Sequence, residues 1–234
     1  MSYSNAAQYY DKFYENKNYE AEAQKIVSIV GSEPDSQDLA LLDVACGTGL
    51  HIEHLKRHFD VEGLDICTEL LEFARARNPE ITFHQGDMTD FDLGRRYDVI
   101  TCLFSAIGYV KTLENLSATI RRMIEHLNPG GTLIIEPWFT PDAWMPDTVH
   151  SNIIDEPELK IVRMNTSYAD GRLSYFDMHY LIGTPEGTNH IVERHELGLF
   201  TVPETISVLE EAGLAVEYDP EGFIGRGLYI GKRK

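Results

Sequence analysis

The sequence predicts an α/β protein: a doubly wound, mostly parallel sheet, with a small antiparallel sheet inserted near the end of the chain. Three observations carry this. Short apolar runs alternate with helical patterns from about residue 39 to 138, the order that builds parallel sheets. Residues 151–200 change character to long strand-like runs joined by turn signals. The chain then closes on two further strand patterns, "AVEYDP" and "GRGLYIGKR".

Taken in order, "EAEAQKIVSIV" (20–30) carries apolar residues at helical spacing and ends a segment, 1–30, that reads as an N-terminal helical cover. "LALLDVA" (39–45) is a first buried strand, and residues 50–58 read as a helix that starts directly after Gly47 and Gly49. "DVEGLDI" (60–66) is a second strand, followed by the helix "CTELLEFARARN" (67–78) with Thr68 as its expected N-cap. "ITFHQGDM" (81–88) and "YDVITCLFSAI" (97–107) are strands three and four. "LENLSATIRRMIEHL" (113–127) is an amphipathic helix that Asn128-Pro129-Gly130-Gly131 is expected to stop. "GTLIIEPW" (131–138) is strand five. "LKIVRMNTSY", "RLSYFDMHYLIG" and "HIVERHELGLF" give three strands for the inserted sheet, and "VPETISVLEEAGL" a last helix stopped at Gly213.

Composition narrows the function. The chain has 234 residues and a formal net charge of −18, so it repels nucleic acid and anionic membranes. No apolar run reaches membrane-spanning length, and the N-terminus lacks a signal-peptide pattern. Cys46, Cys67 and Cys102 are odd in number and widely spaced, which suggests neither a disulfide framework nor a Cys-x-x-Cys site. The expectation is a reduced, cytoplasmic protein. His51, His54 and His58 share a helical face, but in a Lys/Glu-rich stretch that reads as solvated, so no metal site is expected.

The glycine loop raises the question of a ligand. Gly47-Thr48-Gly49-Leu50-His51-Ile52 begins as a dinucleotide fingerprint but places Ile52 where the third glycine belongs. No phosphate-binding Walker loop is present. Acids stand at successive strand ends instead. Asp43 ends strand one, Asp65 ends strand two where a carboxylate meets a ribose diol, and Asp87-Met88 ends strand three where a polar and an apolar group suit an adenine edge and face.

With "LLDVACGTG", "GLD", "QGDM" and "LNPGGTLIIE" in that order, the chain resembles the class I S-adenosylmethionine-dependent methyltransferases, whose Rossmann-like sheet has seven strands and ends in a reversed pair. "YYDKFYENKNYEAEA", "FSAIGYVKT" and "GFIGRGLYIG" extend the similarity to the dTDP-3-amino-sugar N,N-dimethyltransferases of desosamine and mycaminose formation. The match is dense before residue 140 and at the C-terminus, and thin across 140–220.

The resemblance implies S-adenosylmethionine as cofactor and S-adenosylhomocysteine as product. The cofactor then lies against Asp43, Ala45, Gly47, Gly49, Ile66 and Leu103, with Asp65 at the ribose hydroxyls and Asp87 and Met88 at the adenine. Tyr14 and Tyr19 cover it. The acceptor, a dTDP-linked amino sugar, lies near Tyr10, Ser105, Tyr109, Glu136 and Trp138, with Arg226 on the diphosphate. Tyr14, Tyr109 and His179 are the catalytic candidates; His179 and His195, in the inserted sheet, are both able to take an amine proton. Other readings stay open: methylation of another small amine or hydroxyl, or a non-catalytic cofactor-binding module. A homodimer through the 151–200 sheet is also expected.

Overall fold

The computed structural model describes residues 7–31 and 39–234; residues 1–6 of the expected cover lie outside them. Helices α1 (Ala7–Tyr10) and α2 (Tyr19–Val30) flank a short 3-10 turn at Asp11–Phe13. The main sheet contains β1 (Ala40–Val44), β2 (Asp60–Asp65), β3 (Thr82–Gln85), β4 (Tyr97–Cys102) and β5 (Leu127–Ile135), joined by α3 (Leu50–Leu55), α4 (Thr68–Arg77) and α5 (Leu113–Glu125). The second sheet follows as β6 (Val149–Asp155), β7 (Lys160–Asp170), β8 (Leu173–Thr184) and β9 (Gly187–Gly198). Then come α6 (Val202–Glu211), β10 (Leu214–Asp219) and β11 (Leu228–Arg233).

Strand order in the main sheet is β10-β11-β5-β4-β1-β2-β3. The first five strands in sequence run parallel, and β11 is antiparallel to both β5 and β10. β1 is continuous and apolar because both faces are covered. Leu41 joins a core with α2, α3 and α4 on one side, whereas Leu42 and Val44 join α5 and α6 on the other. After β3 the chain crosses to the far side of β1, so the order reverses between β1 and β4. The crevice beyond their carboxyl ends is where such sheets bind ligands.

Several local readings are corrected. The helix after the glycine loop ends at Leu55 rather than residue 58. The N-cap of α4 is Cys67, whose amide donates to Asp65 Oδ1, and the Thr68 hydroxyl accepts from Gln85 Nε2 instead. Asn128-Pro129-Gly130-Gly131 does not terminate α5; it lies within β5, where the β4 pairing shifts from Tyr97↔Leu127 to Val99↔Thr132. Extra residues in one strand absorb the Pro-Gly-Gly turn chemistry as a bulge-like irregularity. The second sheet has four strands, not three: "VHSNIID" forms β6, and its mostly exposed residues hide the apolar alternation on which strand recognition relies. Among the described residues no helix is long and apolar enough to cross a membrane.

Candidate active site

A cavity of about 650 Å³ opens at the switch point, within the size range of small-molecule sites. Ala45 and Gly47 from the loop after β1, Asp65 and Ile66 from β2, Asp87 and Met88 after β3, and Leu103 and Phe104 after β4 form one end of its wall. Tyr10, Tyr109, Lys111 and Asn115 line it further along. The wall is partly strained backbone: Ala45, Phe104 and Lys111, none of them glycine, have φ of 60°, 52° and 68°. Such conformations persist where surrounding structure enforces them, and they concentrate at ligand sites.

Gly47 shows why the loop is glycine-rich. Its φ is +56°, and no atom stands within 4 Å of where a Cβ would project, so a side chain there would occupy ligand space. Asp65 accepts from Gly47 N and Cys67 N, both at 2.8 Å. Each oxygen keeps a lone pair for a ligand hydroxyl. Burial pushes its carboxyl up, against the pull of the Cys67 and Gly47 amides. Asp43 sits behind the wall, fully buried, accepting from Thr101 Oγ1 at 2.7 Å. Burial, with the charge of Asp65 adding to it, raises its carboxyl to about 7. Asp87 uses Oδ1 on the amide and hydroxyl of Thr89 and is otherwise exposed. Gly49 also stands behind the wall, packed toward Asn78 and Ala74.

The cover is fastened to this loop. Asp11 accepts from Thr48 Oγ1 at 2.6 Å and pairs with Arg77. Glu22 pairs with His51 Nε2 at 2.7 Å and with Lys17. Burial raises Glu22, but its bonds to His51 and Lys17 outweigh that and hold it below the usual range. His51 is therefore buried in a polar clasp rather than solvated, because α2 packs over α3 at this point. Tyr19 is buried edge-on to His51, and Tyr14 packs edge-on to Phe104 at 4.8 Å.

A second group of side chains meets the cavity only through Phe104: Ser105, Glu136, Trp138 and Arg226, expected at the acceptor, stand behind that residue and are not among the lining residues. The Phe104-Ser105 turn is held from three directions. Glu136 Oε2 accepts from Phe104 N at 2.6 Å, Ser105 Oγ donates to Pro137 O at 2.7 Å, and Arg226 donates to Ser105 Oγ at 2.9 Å. The Arg226 guanidinium also lies over the rings of Trp138 and Phe139, at 5.1 and 4.6 Å. Burial lowers its pKa while Glu136 pushes it back up. Trp138 donates to Ser174 Oγ at 2.9 Å and extends into a cluster of Phe139, Trp144 and Phe176. Glu136 is wholly buried, and burial followed by the charge of Glu22 raises its pKa; its visible work is on the backbone of Phe104.

Residues 41–131 match the family model described as a methyltransferase domain. The chain is 38% identical over 229 residues, 96% of each chain, to the dTDP-3-amino-3,4,6-trideoxy-alpha-D-glucopyranose N,N-dimethyltransferase of Streptomyces venezuelae. The crystal structure of Streptomyces venezuelae DesVI superposes with a TM-score of 0.90 at 37% identity, covering 98% of this chain and 99% of that one. This chain belongs to the dTDP-amino-sugar N,N-dimethyltransferase family. A third relative, SAM-bound CalS10, an amino pentose methyltransferase of Micromonospora echinaspora involved in calicheamicin biosynthesis, matches at TM-score 0.85 and 33% identity over 96% of each chain.

The enzyme is thus an S-adenosylmethionine-dependent class I methyltransferase, and its cavity fits that cofactor. The space at Gly47 is open, and Asp65, Asp87 and Met88 line the same cavity with the mix of polar and apolar groups that suits a nucleoside. The acceptor side agrees less well with the sequence reading. His179 is exposed on the outer face of β8, hydrogen-bonded to His190 at 3.1 Å, and does not line the cavity. Alternation explains it: Ser174, Phe176, Tyr180 and Ile182 point inward, so His179 points out. His195, on β9, points inward. It is 1% exposed and bonded through Nδ1 to Tyr109 OH at 2.8 Å. Burial, and next the nearby Arg163 charge, lower its pKa to about 4. Two further residues escaped the sequence reading. Lys17 reaches over the Tyr19 and Phe104 rings, and Arg163 donates to Tyr14 OH at 3.2 Å. The Lys17 contact with Phe104 and the Arg163 contact with Tyr14 span large sequence separations that no local pattern marks.

Proposed function

We propose that the chain N,N-dimethylates the amino group of a dTDP-linked deoxyamino sugar. The observation that carries this reading is Arg226. Its guanidinium packs against the Trp138 and Phe139 rings and donates to Ser105 Oγ, one residue from Phe104 of the cavity wall, in a chain of net charge −18. A diphosphate needs such a pre-placed, always-charged fork. The family relationship supports the amine and the nucleotide together.

In this reading Gly47, Asp65, Ile66, Asp87, Met88 and Leu103 enclose the cofactor, with Asp43, Ala45 and Gly49 shaping the loop, and Tyr10 stands on the acceptor side. Tyr14 and Tyr19 belong to the cover that seals it from water. The bound cofactor supplies an electrophilic methyl group on a sulfonium. The chain's own residues have to hold a neutral amine in line with it and exclude competing water. Tyr109, at the cavity wall, is the group that meets the amine. Arg226 and Ser105 hold the diphosphate, and Trp138 faces the nucleotide. Glu136 contributes through the Phe104 turn.

The test is mass spectrometry of reactions containing purified protein, S-adenosylmethionine and a panel of dTDP-3-amino-dideoxyhexoses, a dTDP-4-amino isomer, the free amino sugar and simple amines. A gain of two methyls on a dTDP-sugar alone supports the reading. Methylation of the free amine with equal efficiency removes the nucleotide from it.

For assembly, the reading is a homodimer through the outer face of β6–β9. Val149, Ile153, Leu181 and Val192 are 64%, 71%, 51% and 47% exposed there. Alternation sets them on one face, and a two-fold contact pairs that patch with itself. Light scattering decides it: a monomer at working concentration removes the dimer. Three free, buried cysteines suit a reducing cytoplasm.

A further inference from the structure

Tyr109 and His195 form a pair whose use is not explained by cofactor or diphosphate binding. Tyr109 sits in the 3-10 turn Ala106–Val110 that follows the Phe104-Ser105 turn, and it lines the cavity. Its hydroxyl meets His195 Nδ1 at 2.8 Å. The imidazole is held in place: Phe176 stacks on it at 5.1 Å and 22°, and the ring is 1% exposed. We propose that His195 is a positioning residue: its Nδ1 accepts the Tyr109 hydroxyl proton, so that the Tyr109 oxygen faces the cavity as a hydrogen-bond acceptor for the N–H of the substrate amine. This rests on the amine acceptor proposed above.

The chemistry explains why the direction of that proton matters. An amine attacks with its lone pair along the line of the breaking carbon–sulfur bond. A hydroxyl that donated to the amine would occupy that lone pair. A hydroxyl oxygen that accepts from an N–H leaves the lone pair free and turns it toward the methyl. In each turnover nitrogen gains the methyl carbon, the C–S electron pair returns to sulfur, and the resulting alkylammonium releases one proton to water. His195 is not the store for that proton. Its burial beside Arg163 disfavours the imidazolium, so the ring stays neutral and keeps one tautomer.

The arrangement also counts methyl groups. A primary amine has two N–H groups and a secondary amine has one, so both can be held by the Tyr109 oxygen. A tertiary amine has none. Its lone pair loses register, and transfer stops at two.

Two measurements test this. The first needs no turnover: long-range proton–nitrogen correlation spectra of histidine-labelled, cofactor-free protein. The expected result is an unprotonated His195 Nδ1 and a protonated Nε2; a proton on Nδ1 overturns the proposal. The second compares His195→Phe, which keeps a ring but loses the acceptor, with His195→Asn, whose amide oxygen can stand near the Nδ1 position. His195→Phe is expected to lower kcat by roughly 10- to 100-fold, the scale of a misplaced reactant, with acceptor KM and cofactor Kd unchanged. His195→Asn is expected to recover most of the loss. Tyr109→Phe should match His195→Phe, and the double variant should lose no more than either. Wild-type kcat in His195→Phe, or a double variant that multiplies the two losses, overturns the proposal. Failure of the wild-type enzyme to methylate any amine strikes the function proposed above, whereas the tautomer measurement still decides this one.

Discussion

The Gly47–Asp65 wall, given to the cofactor in the proposed reading, and the cluster around Arg226 are built from different materials. At the Gly47–Asp65 wall the chain backbone does most of the shaping: the positive φ of Gly47 and Gly49, and a carboxylate, Asp65, held by two backbone amides. In the Arg226 cluster, which that reading gives to the acceptor, side chains do it, drawn from segments as distant as Ser105, Trp138 and Arg226 and packed behind the Phe104 wall rather than lining the cavity. A backbone-built site depends on conformations that few residues can adopt. A side-chain-built site can be altered one contact at a time while the fold stands.

The largest effect should come from the backbone-built end. Asp65→Ala removes the acceptor for Gly47 N and Cys67 N, and unmet buried amides cost about 1–3 kcal/mol each. Cofactor Kd should rise roughly 100-fold or more by calorimetry, since the loop geometry and the ribose contact fail together. Binding of a dTDP-sugar at the other end should change far less. Equal loss at both ends would show that the division drawn here is false.

Asp43 gives the next effect, in pH rather than affinity. Its folded pKa is raised to about 7, above an unfolded value of about 3.9. Between those values the folded state holds more protons, so the stability that Asp43 contributes is present at about pH 4 and is lost as pH rises through 7. Urea unfolding of cofactor-free protein should therefore differ between wild type and Asp43→Asn by on the order of a few kcal/mol more at pH 7.5 than at pH 4.5, in favour of the variant. A constant difference would mean that the carboxyl ionises normally.

Arg226→Ala probes the other end. Hydrogen bonds to charged groups are worth about 1.5–3 kcal/mol, so acceptor KM should rise roughly 10- to 100-fold with cofactor Kd unchanged. An unchanged KM would take the diphosphate away from this arginine. Gly49→Ala returns to the backbone with a smaller change. Its φ is +73°, and a Cβ would lie 3.0 Å from Asn78 Nδ2 and 3.3 Å from Ala74 Cβ. The expected loss of stability is about 1–2 kcal/mol, read as a lowered Tm.

The same difference in materials explains what the sequence reveals. Asp65, Gly47 and the Asp87-Met88 pair sit at strand ends within short, ordered motifs, so fold and cofactor can be read from local pattern. The acceptor end depends on which way a strand residue faces after long-range pairing. His179 and His195 look equivalent in sequence, yet the β8–β9 register turns one outward and buries the other. Arg163 reaches Tyr14 across 149 positions, and β6 is too exposed to announce itself as a strand.

The helical cover touches both ends, and the smallest prediction concerns it. Toward the cofactor loop it uses Asp11 on Thr48 and Arg77, and Glu22 on His51. Toward the inserted sheet it uses Tyr14 with Arg163, Lys12 on Glu156 at 2.7 Å, and Phe13 edge-on to Tyr180. A cover fastened on both sides can transmit order from one ligand to the other, and such coupling must be reciprocal. Asp11→Asn keeps an acceptor for Thr48 but discharges the partly exposed pair with Arg77, a change of about 0.5–1 kcal/mol. Cofactor Kd should rise by roughly two- to fivefold, an increment that shrinks at high salt because the pair is screened. If the cover couples the ends, cofactor-dependent tightening of dTDP-sugar binding should weaken as well, and sugar-dependent tightening of cofactor binding should weaken by that same factor. If cofactor Kd shifts and that tightening does not, the two ends are joined only by sharing a cavity, and the cover serves the cofactor alone.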